Sequence, residues 1–200
     1  MIRILRFMII LNFVLLLTIS CSNFSSKLSK DNSDSLQTKA LNNKKVIVNT
    51  DERKDFLQLG SELMNKEKFG DIKLEMSLIE TINKLGEPEE KTKAEFWSAD
   101  GMYHQTLRYK KKGIELDIQG EKDLDKVINM ITITKPSTLK TLKNIGIGSS
   151  YEDVEFAYKD VIDPEFSNSE SIVAGSIYGG IIFSFENKRV NSVFIGASAE

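Results

Sequence analysis

The sequence predicts an α+β fold of two tandem repeats, each a short helix or helix pair packed on an antiparallel β-meander, preceded by a disordered tether. Three observations lead to this prediction. Two alternating apolar residues followed closely by Ser-x-x-acid occur twice, a short amphipathic segment follows each copy, and runs of alternating apolar residues come after both. With 40% hydrophobic and 28% charged residues, the chain has the composition of a folded protein.

The N-terminal segment is organised like a signal peptide. Arg3 and Arg6 precede the apolar run Phe7–Ile19, which is shorter than the roughly 20 residues that a membrane-spanning helix needs. The segment that ends at Cys21, Leu-Thr-Ile-Ser-Cys, resembles the lipobox of bacterial lipoproteins, although Thr18 stands where that family usually has leucine. The resemblance implies cleavage before the cysteine and its acylation, for example with palmitate. The alternatives are an ordinary secretory signal and an uncleaved anchor helix.

Cys21 is the only cysteine of the chain, and His104 is the only histidine. These counts exclude an internal disulfide and a cysteine-based zinc cluster, and they leave little material for a histidine-ligated metal site or a Ser-His-Asp triad. The net charge is −2, and loss of Arg3 and Arg6 with the signal peptide would make it −4. Because nucleic-acid-binding domains are typically basic, we expect no nucleic-acid partner. The lipid on Cys21 is the expected attachment to the membrane.

Composition divides the chain into a signal peptide, a flexible tether and two α/β repeats, at residues 1–20, 21–49, 50–135 and 136–200. The tether is rich in serine, asparagine, lysine and aspartate and shows no hydrophobic period. The first repeat opens with a predicted helix at Asp51–Lys68, where Phe56, Leu59 and Leu63 recur at helical spacing.

Each repeat contains a predicted capping box. In such a box a serine side-chain oxygen accepts a hydrogen bond from the backbone amide three residues on, and the acidic side chain at that position accepts one from the serine backbone amide. The first box joins Ser77 to Glu80 and the second joins Ser150 to Asp153. A short helix follows each box, ended by Gly86 in the first repeat and by the Asp-Pro pair at 163–164 in the second. The helix residues expected to be buried are Ile82, Leu85, Val154 and Tyr158.

Strand-like alternation follows both helices. In the first repeat a short strand at Glu95–Trp97 and a hairpin turn lead into a strand at Met102–Tyr109. Each repeat then ends in two more strands, predicted at Gly113–Ile118, Lys126–Ile133, Gly180–Phe185 and Arg189–Ile195. One face of each meander needs cover, and the helix supplies it.

The order of these motifs, with Leu-Gly-Glu-Pro at 85–88 ending the first helix, resembles a group of small bacterial envelope folds. They are the β-lactamase-inhibitor-protein-like tandem domains and the assembly lipoproteins of the BamE (SmpA/OmlA) type. The resemblance covers about Ile72–Ile195 and implies helix-on-sheet repeats that bind other proteins. The inhibitor proteins carry disulfides, which this chain cannot form, and the assembly lipoproteins usually have one repeat. The partners of these families are therefore not carried over.

Aromatic side chains after the first short helix are the candidate partner-binding residues. Trp97, Tyr103 and Tyr109 belong to types that dominate protein interfaces, although half of such a cluster has to face the core. His104 has two interpretations: a general base partnered by Asp100, or a solvent-facing strand residue that alternates with Tyr103. We favour the second, because no nucleophile lies near it in sequence.

We therefore expect a lipid-anchored protein of the cell envelope that binds or scaffolds another protein. In a Gram-negative host it would sit in the outer membrane or face the periplasm. We expect no enzyme activity, no catalytic residue, no metal and no cofactor. The alternatives are an envelope hydrolase that works through paired carboxylates and a lipoprotein that binds a small ligand or lipid between sheet and helix.

Overall fold

The computed structural model describes residues 50–122 and 125–198, with side chains from residue 55 onwards; Cys21, the signal peptide and the tether lie outside the described residues. The described chain forms three α-helices and one antiparallel sheet of eight strands. The helices are α1 (Thr50–Lys66), α2 (Leu78–Leu85) and α3 (Tyr151–Tyr158). The strands are β1 (Glu90–Lys91), β2 (Glu95–Trp97), β3 (Met102–Tyr109), β4 (Ile114–Gly120), β5 (Val127–Thr134), β6 (Ser171–Ser176), β7 (Gly179–Glu186) and β8 (Arg189–Gly196).

Both predicted capping boxes are confirmed. The Ser77 hydroxyl accepts from the Glu80 amide at 3.2 Å, and the Glu80 carboxylate accepts from the Ser77 amide at 3.2 Å. Ser150 and Asp153 make the same two bonds at 3.1 and 3.2 Å. Each box satisfies amides that the first turn of a helix leaves without partners. These two short helices therefore begin where the local sequence places them.

The sheet has the strand order β1-β3-β4-β5-β8-β7-β6, and β2 also pairs with β3. Its centre is the antiparallel pair β5–β8, in which Ile131 lies opposite Ile195 and Ile133 lies opposite Val193. The strands of both predicted repeats thus belong to one continuous sheet. This arrangement confirms the α+β class and the antiparallel sheet.

Most apolar side chains of the strands point to one face, where the helices cover them. Leu107, Leu116, Ile131 and Phe183 are fully buried in this core. Val154 and Tyr158 of α3 are also fully buried, as predicted, whereas Ile82 and Leu85 of α2 are only half-buried. The opposite face of the sheet is more polar and partly exposed, as expected for an antiparallel sheet with helices on one side.

One strand within the second half, β6, was not predicted. Its sequence, Ser-Ile-Val-Ala-Gly-Ser, is short and contains glycine, so propensity gives little signal. Tertiary packing supplies the reason for the strand, since α1 lies against β6 and β7. At this contact a Cβ on Gly60 would stand 1.8 Å from the carbonyl oxygen of Gly179. Only glycine permits so close an approach of helix to strand.

The two halves of the sheet share several backbone features. The β4–β5 pairing shifts register between Asp117 and Ile118, and the β7–β8 pairing shifts between Ser184 and Phe185. The cap serine of each half forms an isolated bridge to the first residue of that half's last strand. These bridges join Ser77 to Val127 and Ser150 to Arg189.

Among the described residues, no helix has the length and apolar character that crossing a membrane requires.

Candidate functional site

His104 lies on β3 and is almost completely buried, with 3% of its side chain exposed. Its Nε2 is 2.7 Å from the Asp100 carboxylate, and its Nδ1 is 2.9 Å from the Asp117 carboxylate. The favoured expectation of a solvent-facing histidine was therefore wrong. The contact with Asp100 that the general-base interpretation expected is present, but Asp117 adds a second carboxylate to the imidazole ring.

Three consecutive elements bring these groups together. Asp100 occupies the turn between β2 and β3, where its Oδ1 also accepts from the Met102 amide at 3.0 Å. Asp117 comes from β4, directly opposite Thr106. It therefore lies diagonally across from His104, within the reach of side chains on one face of an antiparallel pair. Asn129 of β5 extends the group with a hydrogen bond to Asp117.

The indole ring of Trp97 covers the histidine. The two ring centroids are 3.8 Å apart and the rings are inclined by 11°, which is a stacked arrangement. A charged imidazole against an indole face gains a cation–π attraction. We call Trp97, Asp100, His104 and Asp117 the histidine cluster.

The histidine cluster places the imidazole between two carboxylates, which favour its charged form. Burial alone would lower the pKa of His104, but the hydrogen bonds to Asp100 and Asp117 more than offset it, so the pKa lies above its usual value. The bond from His104 lowers the pKa of Asp100. Burial raises the pKa of Asp117 despite the same histidine. The exposed Asp100 is therefore the firmer anionic partner of the two.

This arrangement suits charge pairing better than proton transfer. Both ring nitrogens of His104 are bonded to carboxylates, so neither faces a substrate as a base. A small hollow of about 140 Å³ lies beside the ring and is also lined by Lys93, Glu95 and Asp117. In the part of the chain that the structure describes, no group of three His, Cys, Asp or Glu side chains is arranged to hold a metal ion.

The predicted partner-binding aromatics lie in three different settings. Tyr103 is 43% exposed and meets the 57% exposed Phe96 edge-on, with ring centroids 5.3 Å apart. Trp97 is half-buried on the histidine and also lines an open hollow of about 410 Å³ with Met130 and Phe194. Tyr109 is 1% exposed in the core, so its side chain offers no surface to a partner.

Tyr109 is unusual in another respect. Within residues 50–122 and 125–198 its hydroxyl finds no hydrogen-bond partner. Burial raises its pKa to about 12, and the acidic neighbours Glu87 and Glu89 add to the shift. The ring contributes to the core and the hydroxyl remains a neutral group inside it.

Sequence reasoning missed Asp117 and did not single out Phe96 within the aromatic cluster. Asp117 gave no signal in the sequence, because it occupies an outward position in the alternation of Ile114, Leu116 and Ile118, where a polar residue is ordinary. The tight turn at 110–113 sets the register that brings it diagonal to His104. Phe96 faces Tyr103 across the β2–β3 pair, which required that strand pairing to be known.

Known proteins provide no assignment, since the chain matches no protein-family model, no curated protein and no solved structure.

Proposed function

We propose that the protein is a lipid-anchored module of the cell envelope that binds another protein through the hairpin formed by β2 and β3. One observation carries this proposal. Phe96 and Tyr103 expose 57% and 43% of their surface while remaining in edge contact with each other. Aromatic side chains held rigidly at the surface are typical of interface hot spots, because they bury much area on binding and lose little conformational entropy.

The open sheet face next to the hairpin supports the same proposal. Trp97, Met130 and Phe194 line a shallow apolar hollow of about 410 Å³. The histidine cluster holds the Trp97 ring in one orientation before any partner arrives. A preorganised aromatic ring costs less to order during binding. The hairpin thus offers Phe96 and Tyr103 on one side of its pleat and Trp97 on the other.

The membrane attachment in this proposal rests on the sequence Leu-Thr-Ile-Ser-Cys ending at Cys21. Two or more acyl chains on one cysteine hold a protein stably at a bilayer, because each buried methylene adds about 0.8 kcal/mol. A Cys21→Ser variant tests the attachment. We expect it to leave the membrane fraction and to lose label from radioactive palmitate, whereas an unchanged distribution would contradict the anchor.

We further propose that residues 50–135 and 136–200 arose as tandem repeats. The two capping boxes, the register shifts at Asp117 and Ser184, and the bridges from both cap serines support this. The central β5–β8 pair fits this as well. Ile131 pairs with Ile195 and Ile133 pairs with Val193, so a two-fold rotation that exchanges the two strands carries one pair onto the other.

Site-specific photocrosslinking tests the protein-binding proposal. A benzophenone amino acid replaces Phe96 or Tyr103 in the full-length protein, and cells are irradiated before the envelope is solubilised. Tyr178 is the matched control position, since it is 52% exposed and lies outside the hairpin, between β6 and β7. We expect one discrete crosslinked protein from positions 96 and 103 and a much weaker product from 178. Equal products from all three, or no product under several growth conditions, would contradict the proposal.

A further inference from the structure

We propose that the histidine cluster is a pH-sensitive switch: while His104 is charged it holds the Trp97 ring and strand β2 in place, and its deprotonation releases both. The inference starts from connectivity. His104 is the single buried group that bonds the turn residue Asp100 and the β4 residue Asp117 together, while Trp97 stacks on its ring.

Strand β2 and the turn after it have few other attachments among the described residues, whereas β3 is fixed in the sheet by its pairing with β4. Strand β2 is three residues long, and its backbone pairs only with β3. The turn adds a bond from the Gly101 amide to the Trp97 carbonyl and one from the Met102 amide to Asp100. The contacts of the cluster are therefore a large share of what fixes the indole ring.

The loss of a proton changes every contact of the imidazole. A neutral ring donates from one nitrogen only, so the other nitrogen would present a lone pair to a carboxylate. The cation–π attraction to Trp97 disappears at the same time. Because the ring is 3% exposed, water does not readily replace these partners.

The other charged groups around the ring are few. Glu95 of β2 lies directly opposite His104, and Lys93 precedes it at the rim of the small hollow. Arg108 and Glu115 lie further along the same face and form their own ion pair at 2.7 Å. Of the groups around His104, the carboxylates of Asp100 and Asp117 favour its charged form.

The pH range of the switch follows from the signs of the pKa shifts. The pKa of His104 is raised, so its contribution is complete below the ordinary value of about 6.5 and is lost as pH rises through the higher folded value. The pKa of Asp100 is lowered, so its contribution is lost only on strong acidification. The switch is therefore closed below about pH 6.5 and opens as the pH rises through the folded pKa of His104, which lies above that value.

The chain provides its own probes, because it contains one tryptophan and one histidine. Proton NMR of the full-length protein follows the single histidine ring, and fluorescence follows Trp97, from about pH 5 to about pH 10. We expect one histidine midpoint above 6.5, with Trp97 fluorescence rising at the same pH because a stacked imidazolium quenches indole emission. Asp100→Asn should move both midpoints down by about one pH unit, and His104→Gln should abolish the fluorescence transition.

Glu115→Gln is the matched control. Glu115 is a carboxylate on β4, the strand that also carries Asp117, and it forms an ion pair with Arg108 and not with His104. The substitution should leave both midpoints unchanged. A histidine midpoint at or below 6.5, a fluorescence transition that persists in His104→Gln, or an equal shift in Glu115→Gln would overturn the switch. If His104→Gln does not fold, the comparison of the midpoints in Asp100→Asn and Glu115→Gln tests the switch. These readouts need no partner, so they can fail while the crosslinking result stands, and the reverse also holds.

Discussion

The two halves of the sheet share a backbone pattern and differ in what they place on its open face. At the β4–β5 register shift, Asp117 bonds His104 and Asn129. At the β7–β8 register shift Ser184 stands in the same place, and the buried Oδ1 of Asn191 is without a partner among the described residues. Strand pairing tolerates either arrangement, because it depends on the backbone and on the apolar face. The charged cluster is therefore an addition to the first half and not a requirement of the fold.

The two halves of the sheet also differ in how closely other elements pack against them. The second half packs α1 so closely that Gly60 touches Gly179 through their backbones, and it buries β6 and most of β7. The first half carries the hairpin β2–β3, with Phe96 and Tyr103 exposed. One half is thus held by close packing of a helix, and the other leaves two aromatic side chains exposed. Four predictions test this difference, beginning with the largest expected effect.

Truncation of the core should destabilise both halves together. Leu116→Ala and Phe183→Ala each remove a fully buried side chain, and we expect losses of about 2–5 kcal/mol in the free energy of unfolding. Because β5 and β8 join the halves, urea unfolding should stay a single transition. Trp97 fluorescence reports the first half and circular dichroism reports the whole sheet. Separate midpoints from the two signals would contradict the prediction.

Gly60→Ala should loosen the support of the second half. The added methyl group would lie 1.8 Å from the Gly179 carbonyl oxygen, so helix and strand have to separate. We expect a net loss of about 1–3 kcal/mol, even though alanine is the better helix former. Ser61→Ala on the neighbouring exposed position is the control, with an expected change below about 0.5 kcal/mol. A neutral Gly60→Ala would show that α1 does not hold this position.

The two capping boxes should contribute equally. Ser77→Ala and Ser150→Ala each remove the hydroxyl that accepts from the amide three residues on, while the bond from the backbone amide to the acid can remain, and each should cost about 1 kcal/mol in urea unfolding. The double variant should lose the sum, because the two helices share no cap contact. If either serine substitution left the free energy of unfolding unchanged, the two capping boxes would not be equivalent.

The smallest expected effect concerns the two asparagines at the register shifts. Asn129→Ala removes a hydrogen bond to a half-buried carboxylate and should cost about 0.5–1.5 kcal/mol. Asn191→Ala removes a side chain whose Oδ1 is unpaired, and should cost less than about 0.5 kcal/mol. Chemical unfolding of both variants measures the difference. Equal costs would show that Asn129 is no more important than its counterpart.

The elements that could be predicted are those with local signals. The capping boxes at Ser77 and Ser150 need only four consecutive residues each, and β3 was predicted at its observed bounds, Met102–Tyr109. Helix α1 was expected at Asp51–Lys68 and spans Thr50–Lys66. Strand β6 was missed because its formation depends on α1 packing against it and on pairing with β7.

The candidate site was predictable only in part. The sequence selected Trp97 and Tyr103 by residue type, and it offered Asp100 as a partner of His104. The burial of His104 could not be read from its neighbours, because Asp117 arrives from the next strand and the indole ring arrives from the preceding one. Tyr109 shows the opposite case, since its residue type is the same as that of Tyr103 and only packing distinguishes them.

The sequence by itself determined the helix starts, the α+β class and the positions of the long strands, because hydrogen-bonded caps and period-two alternation act over a few residues. It also supplied the lipobox-like segment at Cys21 and the single copies of cysteine, histidine and tryptophan. Only the tertiary structure decided which aromatics are exposed and that His104 is held between two carboxylates. Those outcomes depend on strand register and on burial, which join residues that are distant in the chain.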